Sequence, residues 1–405
     1  MKPILRAERM KPVHSDIRGP LFVEAMKRQK QGIDVLKLNT GNPATFGFGL
    51  PDSIKNALME HMQDGVGYCD FKGMPQARQA ICDYETSKGI TGITPDDVFI
   101  GNGVSEVVSF ALTPLLNDGD EVLVPSPSYS LWGNSVYLED GKPVFYTCDE
   151  QANWYPDIQD IRSKITDKTK AIVIINPNNP TGVLYPKEIL LEIIQIAREF
   201  GLLIFADEIY DRLVMDGKQH ISLASLTEDV PVITLNGLSK SHCLCGYRCG
   251  WMVISGPREL TEDYRQGIIQ LTSLRLCANT MAQIVIPAAL DDMDTPASMV
   301  RPGGRIYEQR EATVRELEKI NGLSFVKNDA AFYVFPKLDV KKFNITNDKQ
   351  FAHDLLDATN ILLVPGSGFD WKDPDHFRIV MLPQADILSD AIRRMGTFLD
   401  GYKQK

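Results

Sequence analysis

Apolar runs of strand length alternate with amphipathic segments over roughly residues 51–300, which predicts an α/β protein built on an open, mostly parallel sheet. Two runs carry most of that expectation. Ala171-Ile172-Val173-Ile174-Ile175 and Leu202-Leu203-Ile204-Phe205-Ala206 are continuously apolar, as strands covered on both faces must be. Between them, residues 188–200 place Ile189, Ile193, Ile196, Ala197 and Phe200 on one helical face, and Gly201 supplies a C-terminal stop. Strand, helix and strand make a right-handed crossover. The polar turns after both strands then fall at carboxyl ends, where open α/β sheets bind ligands.

Val98-Phe99-Ile100 leads through Gly101-Asn102-Gly103 into Val104-Ser105-Glu106, a strand entering a helix whose exposed amides would cradle a phosphate. The dinucleotide fingerprint is incomplete there, since its third glycine is missing. Glu121-Val122-Leu123-Val124 ends in Pro125-Ser126-Pro127-Ser128-Tyr129, where Tyr129 either stacks on a heteroaromatic ring or packs in the core. After the 171–175 strand, Asn176-Pro177-Asn178-Asn179-Pro180-Thr181-Gly182 is a rigid turn that presents the Asn179 amide. Asp207-Glu208-Ile209-Tyr210 follows the 202–206 strand. Val232-Ile233-Thr234-Leu235 leads to Asn236-Gly237-Leu238-Ser239-Lys240, with Arg248 eight residues on. A pocket at that strand end would desolvate Lys240, lower its proton affinity and free the amine to form a Schiff base. Arg248 offers a fork that fits a phosphate. Pyridoxal phosphate, an aldehyde bearing a phosphate, requires both. This geometry puts Asn179, Asp207 and Lys240 on one rim.

With 405 residues and 43% hydrophobic content, the chain can bury a large core and should form two domains. A net charge of -10 and a pI near 5.2 disfavour nucleic acid as a partner. No apolar run reaches membrane length, and Met1-Lys2-Pro3-Ile4-Leu5-Arg6 lacks the core of a secretory signal, so a cytoplasmic location is expected. Seven cysteines, an odd number scattered along the chain, fit a reducing compartment better than a disulfide framework. Cys243, Cys245 and Cys249 near His242 lack the Cys-x2-Cys spacing of zinc sites, and no metal is expected. His242, His353 and His376 read as packing or surface residues. Asp294-Thr295-Pro296 and Arg301-Pro302-Gly303-Gly304 form a turn-rich break, expected to be a domain junction.

In this order the segments resemble the class I and II aminotransferases of the fold-type I pyridoxal phosphate family, and within it the group acting on alanine and 2-oxoglutarate. The resemblance is collinear from Asp16-Ile17-Arg18-Gly19-Pro20 to the C-terminus. It also rests on Leu38-Asn39-Thr40-Gly41-Asn42-Pro43, Gly67-Tyr68-Cys69-Asp70, Arg275-Leu276-Cys277-Ala278-Asn279 and His376-Phe377-Arg378-Ile379-Val380. It implies a large, doubly wound, mostly parallel sheet domain over 51–300. A smaller α+β domain would come from 14–50 and 301–405, with an N-terminal arm over 1–13. Ala330-Ala331-Phe332-Tyr333-Val334-Phe335 and Phe377-Arg378-Ile379-Val380 would be strands of the small sheet. Active sites between two subunits, hence a homodimer, follow by resemblance.

The resemblance also assigns roles. Lys240 would hold pyridoxal 5'-phosphate as a Schiff base and shuttle the substrate α-proton. Asp207 would pair with the ring nitrogen, the plain alternative being a helix N-cap. Tyr210 and Asn179 would hydrogen-bond the ring oxygen, and Tyr129 would stack on the ring. Arg248, Ser239 and the amides near Val104 and Ser105 would hold the phosphate, which Tyr68 would reach from the neighbouring subunit. Arg378 would take the substrate α-carboxylate, assisted by Asn179 and the Gly41 backbone. For the side-chain carboxylate of glutamate, Arg18 is the first candidate and Arg275 the second; alternatively Arg18 pairs with Asp16. Cys243, Cys249 and Gly237 depart from the family pattern and bear on the phosphate contacts, Ser239 above all. Three alternatives stand beside this reading: another apolar or aromatic amino donor, a carbon-sulfur lyase of the same fold, and the ligand-sensing part of a transcription regulator. The last needs a helix-turn-helix arm, for which there is no room before Asp16.

Overall fold

The computed structural model describes residues 3–405. Its central sheet has eight strands: β1 (Val98–Gly101), β2 (Glu121–Ser126), β3 (Lys142–Asp149), β4 (Tyr155–Pro156), β5 (Thr169–Ile175), β6 (Leu203–Asp207), β7 (Val232–Gly237) and β8 (Gly250–Ser255). They lie in the order β1-β8-β7-β6-β5-β2-β3-β4. The inner run from β3 through β2, β5 and β6 to β7 is parallel, whereas β8 runs antiparallel between β1 and β7.

The apolar runs become strands because both sheet faces are covered. Ala171, Val173 and Ile175 pack with Phe205, Ile233 and Leu235 on one face. Ile172 and Ile174 pack with Ile204, Ala206 and Val232 on the other. This second face receives the helix Lys187–Phe200 through Leu190, Ile193, Ile194, Ile196 and Ala197. Each such side chain contributes about 1.5–3 kcal/mol on burial, so tertiary packing outweighs helix propensity in fixing the element. The helix ends at Gly201, whose φ of 66° is the left-handed conformation that closes it.

The two ends of the chain meet in a second core. Leu36–Lys37 pairs in parallel with Ile361–Leu362. Leu38 packs with Leu317, Phe351, Phe377, Leu388 and Met395. Beside it, β9 (Tyr333–Val334), β10 (Val364–Pro365) and β11 (Phe377–Val380) form a small antiparallel sheet in the order β9-β11-β10.

Two expectations need correction. The strand predicted over 330–335 shrinks to Tyr333–Val334, because Ala330 and Ala331 donate instead to the Gly182 and Leu213 carbonyls at 2.9 and 2.8 Å, and Ala331 adopts a φ of 59°. Residues expected to open a turn at 294 form the helix Asp294–Val300. Asp292 caps it by accepting from the Thr295 amide and hydroxyl, and Pro296 falls in the first turn, where a missing N–H goes unnoticed. The turn is left to 301–304. Among the described residues no helix is long and apolar enough to cross a membrane.

Candidate active site

Strands β5, β6 and β7 end at one edge, and their ladder continues into the turns: the Asn176 amide donates to the Asp207 carbonyl at 3.0 Å, and the Glu208 amide to the Leu235 carbonyl at 2.9 Å. Asp207 is therefore fixed in backbone as well as side chain. Its carboxylate is 5% exposed and accepts from Trp132 Nε1 at 3.1 Å and the Ile209 amide at 3.3 Å. No cation pairs with it among the described residues. Burial pushes its pKa up to about 6, against the pull of those donors.

Lys240 lies in the short helix Leu238–Ser241 that leaves β7. Its Nζ donates to the Gly41 carbonyl at 3.1 Å and stands 5.9 Å from the Phe332 ring centroid. Here the sequence expectation fails in sign. Burial does lower the proton affinity of the amine, but Tyr333, Cys245 and Tyr129 outweigh it and hold Lys240 above the ordinary lysine value.

Two cationic sites flank it. In the first, Gly103 has a φ of 85°, and a Cβ there would collide with the Arg248 guanidinium. The Val104 and Ser105 amides open the helix Val104–Leu112 and donate to no protein acceptor among the described residues. Among the described residues, Arg248 bonds only to the Cys245 carbonyl, at 3.0 Å, and the Ser239 hydroxyl, in the helix Leu238–Ser241, has no protein partner. Free amides, a helix N-terminus and an unpaired guanidinium make an anion cradle.

In the second site Arg378, on β11, is 1% exposed and has no acidic partner among the described residues. It donates from Nη1 to Asn179 Oδ1 at 2.9 Å and from Nη2 to the Asn39 carbonyl, and it lies over the rings of Tyr333 and Phe369 at 4.5 and 4.6 Å. Its Nε has no acceptor. Burial moves its pKa below the ordinary arginine value. A buried, unpaired guanidinium destabilises the protein unless an anion meets it.

The remaining predicted residues fall as follows. Tyr210 is buried and its hydroxyl lies 2.8 Å from that of Tyr333. A Cβ at Gly41 would collide with the same Tyr333 hydroxyl. Tyr129 is partly buried and close enough to act on both Lys240 and Arg378. Tyr68 is 83% exposed, and its hydroxyl makes no hydrogen bond among the described residues. Arg18 is exposed and makes no ion pair among the described residues; Asp16 pairs instead with His14 at 3.6 Å and Lys349 at 3.3 Å. Arg275, the second candidate for a side-chain carboxylate, is already committed to Glu106 at 2.5 Å and to the Phe71 and Ile100 carbonyls.

Of the histidines, His376 is buried among Trp154, Phe335 and Trp371 against Asp375, while His353 pairs with Asp357 at the surface. The Cys243 and Cys245 thiols turn to different carbonyls, those of Lys240 and Ser239. Behind Asp207 lies a charged cluster that the sequence reading missed. Lys88 Nζ contacts Glu85, Glu208 and Asp211 at 2.8, 2.7 and 3.1 Å. Glu208, Asp211 and His220 are grouped closely enough for a cation, and the Lys88 ammonium already meets both carboxylates.

Tyr333, Trp132 and Asn39 were also missed as site residues. From the sequence, Tyr333 reads only as part of a strand. Trp132 sits in the helix Leu131–Leu138, 75 residues from its carboxylate partner, and no local spacing marks it.

An Asp207 carboxylate without a cation, a lysine amine beside it and two anion sites fit a phosphorylated pyridine aldehyde and a carboxylate substrate. The model of the aminotransferase class I and II family matches residues 33–392. The chain belongs to the class I and II aminotransferases. It is 49% identical over 404 residues to glutamate-pyruvate aminotransferase AlaA of Haemophilus influenzae, covering 100% of both chains. It is 45% identical over 400 residues to an alanine aminotransferase of Mycobacterium tuberculosis, covering 98% of this chain and 93% of that one. A crystal structure of an aminotransferase from Escherichia coli superposes over 100% of both chains with a TM-score of 0.98 at 47% identity. Aminotransferases of this family work with pyridoxal phosphate.

Proposed function

We propose that this chain catalyses transamination between L-alanine and 2-oxoglutarate, giving pyruvate and L-glutamate in two half reactions. The observation that carries this reading is Arg378, a buried guanidinium with no acidic partner among the described residues, hydrogen-bonded to Asn179 and lying over the Tyr333 ring. The names of the relatives support the choice of substrates. When bound, pyridoxal phosphate supplies an aldehyde to take up the amino group and a protonated ring to accept the electron pair released at the substrate α-carbon.

The chain supplies position and charge. Asp207, oriented by Trp132 and the Ile209 amide, holds the ring N–H at its carboxylate. Arg248, Ser239 and the Val104 and Ser105 amides take the phosphate. Asn179 uses Oδ1 for Arg378, which leaves Nδ2 to donate to the ring oxygen alongside the Tyr210 hydroxyl. Tyr129 covers the ring. Arg378 grips the α-carboxylate, with Asn179 and Gly41 lining that corner. Lys240 Nζ carries the proton to and from the substrate α-carbon once it is released from the Gly41 carbonyl. Arg18, exposed and without an ion pair among the described residues, meets the second carboxylate of glutamate.

The same reading includes the division into 51–300, 14–50 with 301–405, and an arm over 1–13, supported by the second core that both chain ends build. It includes a homodimer, supported by exposed Met59, Met62, Val66, Tyr68, Leu274 and Leu276, an apolar set out of place on a solvent-facing surface. A reducing cytoplasm suits the seven free cysteines.

The test is incubation of purified protein with pyridoxal phosphate, alanine and 2-oxoglutarate, followed by product analysis. Pyruvate and glutamate in equal amounts support the reading. Pyruvate and ammonia from cystathionine without an acceptor would indicate a lyase instead. Borohydride should fix the cofactor to Lys240, and attachment to another lysine would refute the assignment.

A further inference from the structure

We propose that Tyr333 is a positioning residue that acts through Tyr210: its hydroxyl donates to the Tyr210 oxygen, turning the Tyr210 proton toward the ring oxygen of the cofactor. The inference rests on the transamination reading and adds to it a residue to which that reading gives no role.

Both side chains are nearly inaccessible, at 3% and 2% exposed, and their hydroxyls are 2.8 Å apart. Neither hydroxyl has another partner among the described residues. Two hydroxyls sharing one hydrogen bond have one proton to spare, and a buried O–H without an acceptor is unfavourable. The spare proton must therefore point to a ligand.

The surroundings decide which hydroxyl keeps it. Tyr333 lies on the cationic side: Arg378 is 4.5 Å above its ring, and its hydroxyl abuts Gly41, whose carbonyl accepts from Lys240 Nζ. Positive charge on that side turns the Tyr333 O–H away from it, toward Tyr210. Tyr210 is then the residue with a free proton, three positions from Asp207 on the turn that lines the site.

The packing leaves little freedom to reverse this. The two phenol rings are edge to face with centroids 5.6 Å apart. Phe332 wedges against both, at 5.9 Å from Tyr210 and 4.8 Å from Tyr333. Gly41 leaves the space that the Tyr333 hydroxyl occupies, since a Cβ there would strike it. A hydroxyl that accepts one hydrogen bond is a stronger donor in the next, so loss of the Tyr333 donor weakens Tyr210 without moving it.

The experiment uses Tyr333→Phe, which keeps the ring over which Arg378 lies, in protein loaded with pyridoxal phosphate. The pH midpoint of the cofactor's visible absorption is recorded. A weaker donor stabilises the ring oxygen anion less, so the midpoint should rise by about 0.4 to 1 pH unit, the size of one hydrogen bond's contribution. Tyr210→Phe should raise it further, and Tyr210→Phe with Tyr333→Phe should match Tyr210→Phe alone. Tyr333→Leu should show the same midpoint as Tyr333→Phe while also raising KM for alanine, because Arg378 loses its ring. The proposal is overturned if Tyr333→Phe leaves the midpoint unchanged, if its shift persists in the Tyr210→Phe background, or if only Tyr333→Leu moves it. Wild-type protein that acquires no visible absorption with pyridoxal phosphate would overturn the transamination reading itself.

Discussion

Arg378→Met should damage catalysis far more than it damages the fold. The guanidinium it removes is 1% exposed, has no acidic partner among the described residues, and has an Nε lacking an acceptor. An ion buried without compensation is destabilising by several kcal/mol, so its removal is favourable. Against that, truncation orphans Asn179 Oδ1 and the Asn39 carbonyl at about 1–3 kcal/mol each. Methionine keeps much of the packing against Tyr333 and Phe369. The opposing contributions nearly cancel, and the ligand-free variant should unfold within about 2 kcal/mol of wild type in urea. Substrate has no such offset. An α-carboxylate desolvated without its partner loses about 2–5 kcal/mol, a fall of roughly 30- to 5000-fold in kcat/KM for alanine. Unfolding of the cofactor-loaded protein with and without 2-oxoglutarate closes the test. Ligand at about 100 times Kd stabilises wild type by about 2.7 kcal/mol and should leave the variant unchanged. A ligand-free loss above about 4 kcal/mol would mean that the guanidinium is internally satisfied, and near-normal kcat/KM would remove it from the substrate site.

Asp207→Asn should collapse single-turnover rates with only a modest change in substrate affinity, because an amide cannot hold the ring proton by charge while Arg378 still grips the carboxylate; near-normal rates would assign that role elsewhere. Arg18→Gln should lower kcat/KM for glutamate and 2-oxoglutarate by at least about 10-fold while the alanine half reaction stays within a few-fold, provided substrate desolvates this exposed arginine; equal losses would make Arg18 structural. Lys88→Met should destabilise the fold by about 3–5 kcal/mol, since three acids that are at most 3% exposed lose their shared cation. A urea midpoint like that of wild type would refute this. His14 lies between Asp16 and Asp370, with Lys349 on Asp16 and Tyr137 near Asp370, and hydrogen bonds to the two acids raise its pKa from 6.5 to about 9. A raised pKa means stability that is fully present below pH 6.5 and lost as pH rises through about 9. The Tm gap between wild type and His14→Gln should therefore be constant below pH 6.5 and vanish above about 9, and a gap independent of pH would refute the ion pairing.

The parallel core of the sheet was legible because its strands are apolar on both faces, so Thr169–Ile175 and Leu203–Asp207 match their runs to within a residue or two. The rim residues followed, since turn chemistry after a buried strand has few other uses. Strand 330–335 was misjudged because its first residues bond to the large sheet's loops, a contact across more than a hundred positions that no local pattern records. Tyr333 and Trp132 also act through partners remote in sequence, 123 and 75 positions away. The sign of the Lys240 shift is hidden for a related reason: desolvation can be anticipated from a strand end, but the two phenols opposing it, Tyr333 and Tyr129, arrive from distant parts of the chain.

The turn after β6 serves two surfaces at once. Asp207 and Tyr210 face the cofactor pocket, whereas Glu208 and Asp211, their immediate successors, are tied to Lys88 behind it. Any change that relaxes the crowded acids on the rear face also frees the backbone that aims the groups in front. Engineering this enzyme for heat resistance by thinning those acids would retune its chemistry in the same stroke, and so would repacking the sheet face on which Trp132, the donor to Asp207, meets Phe205.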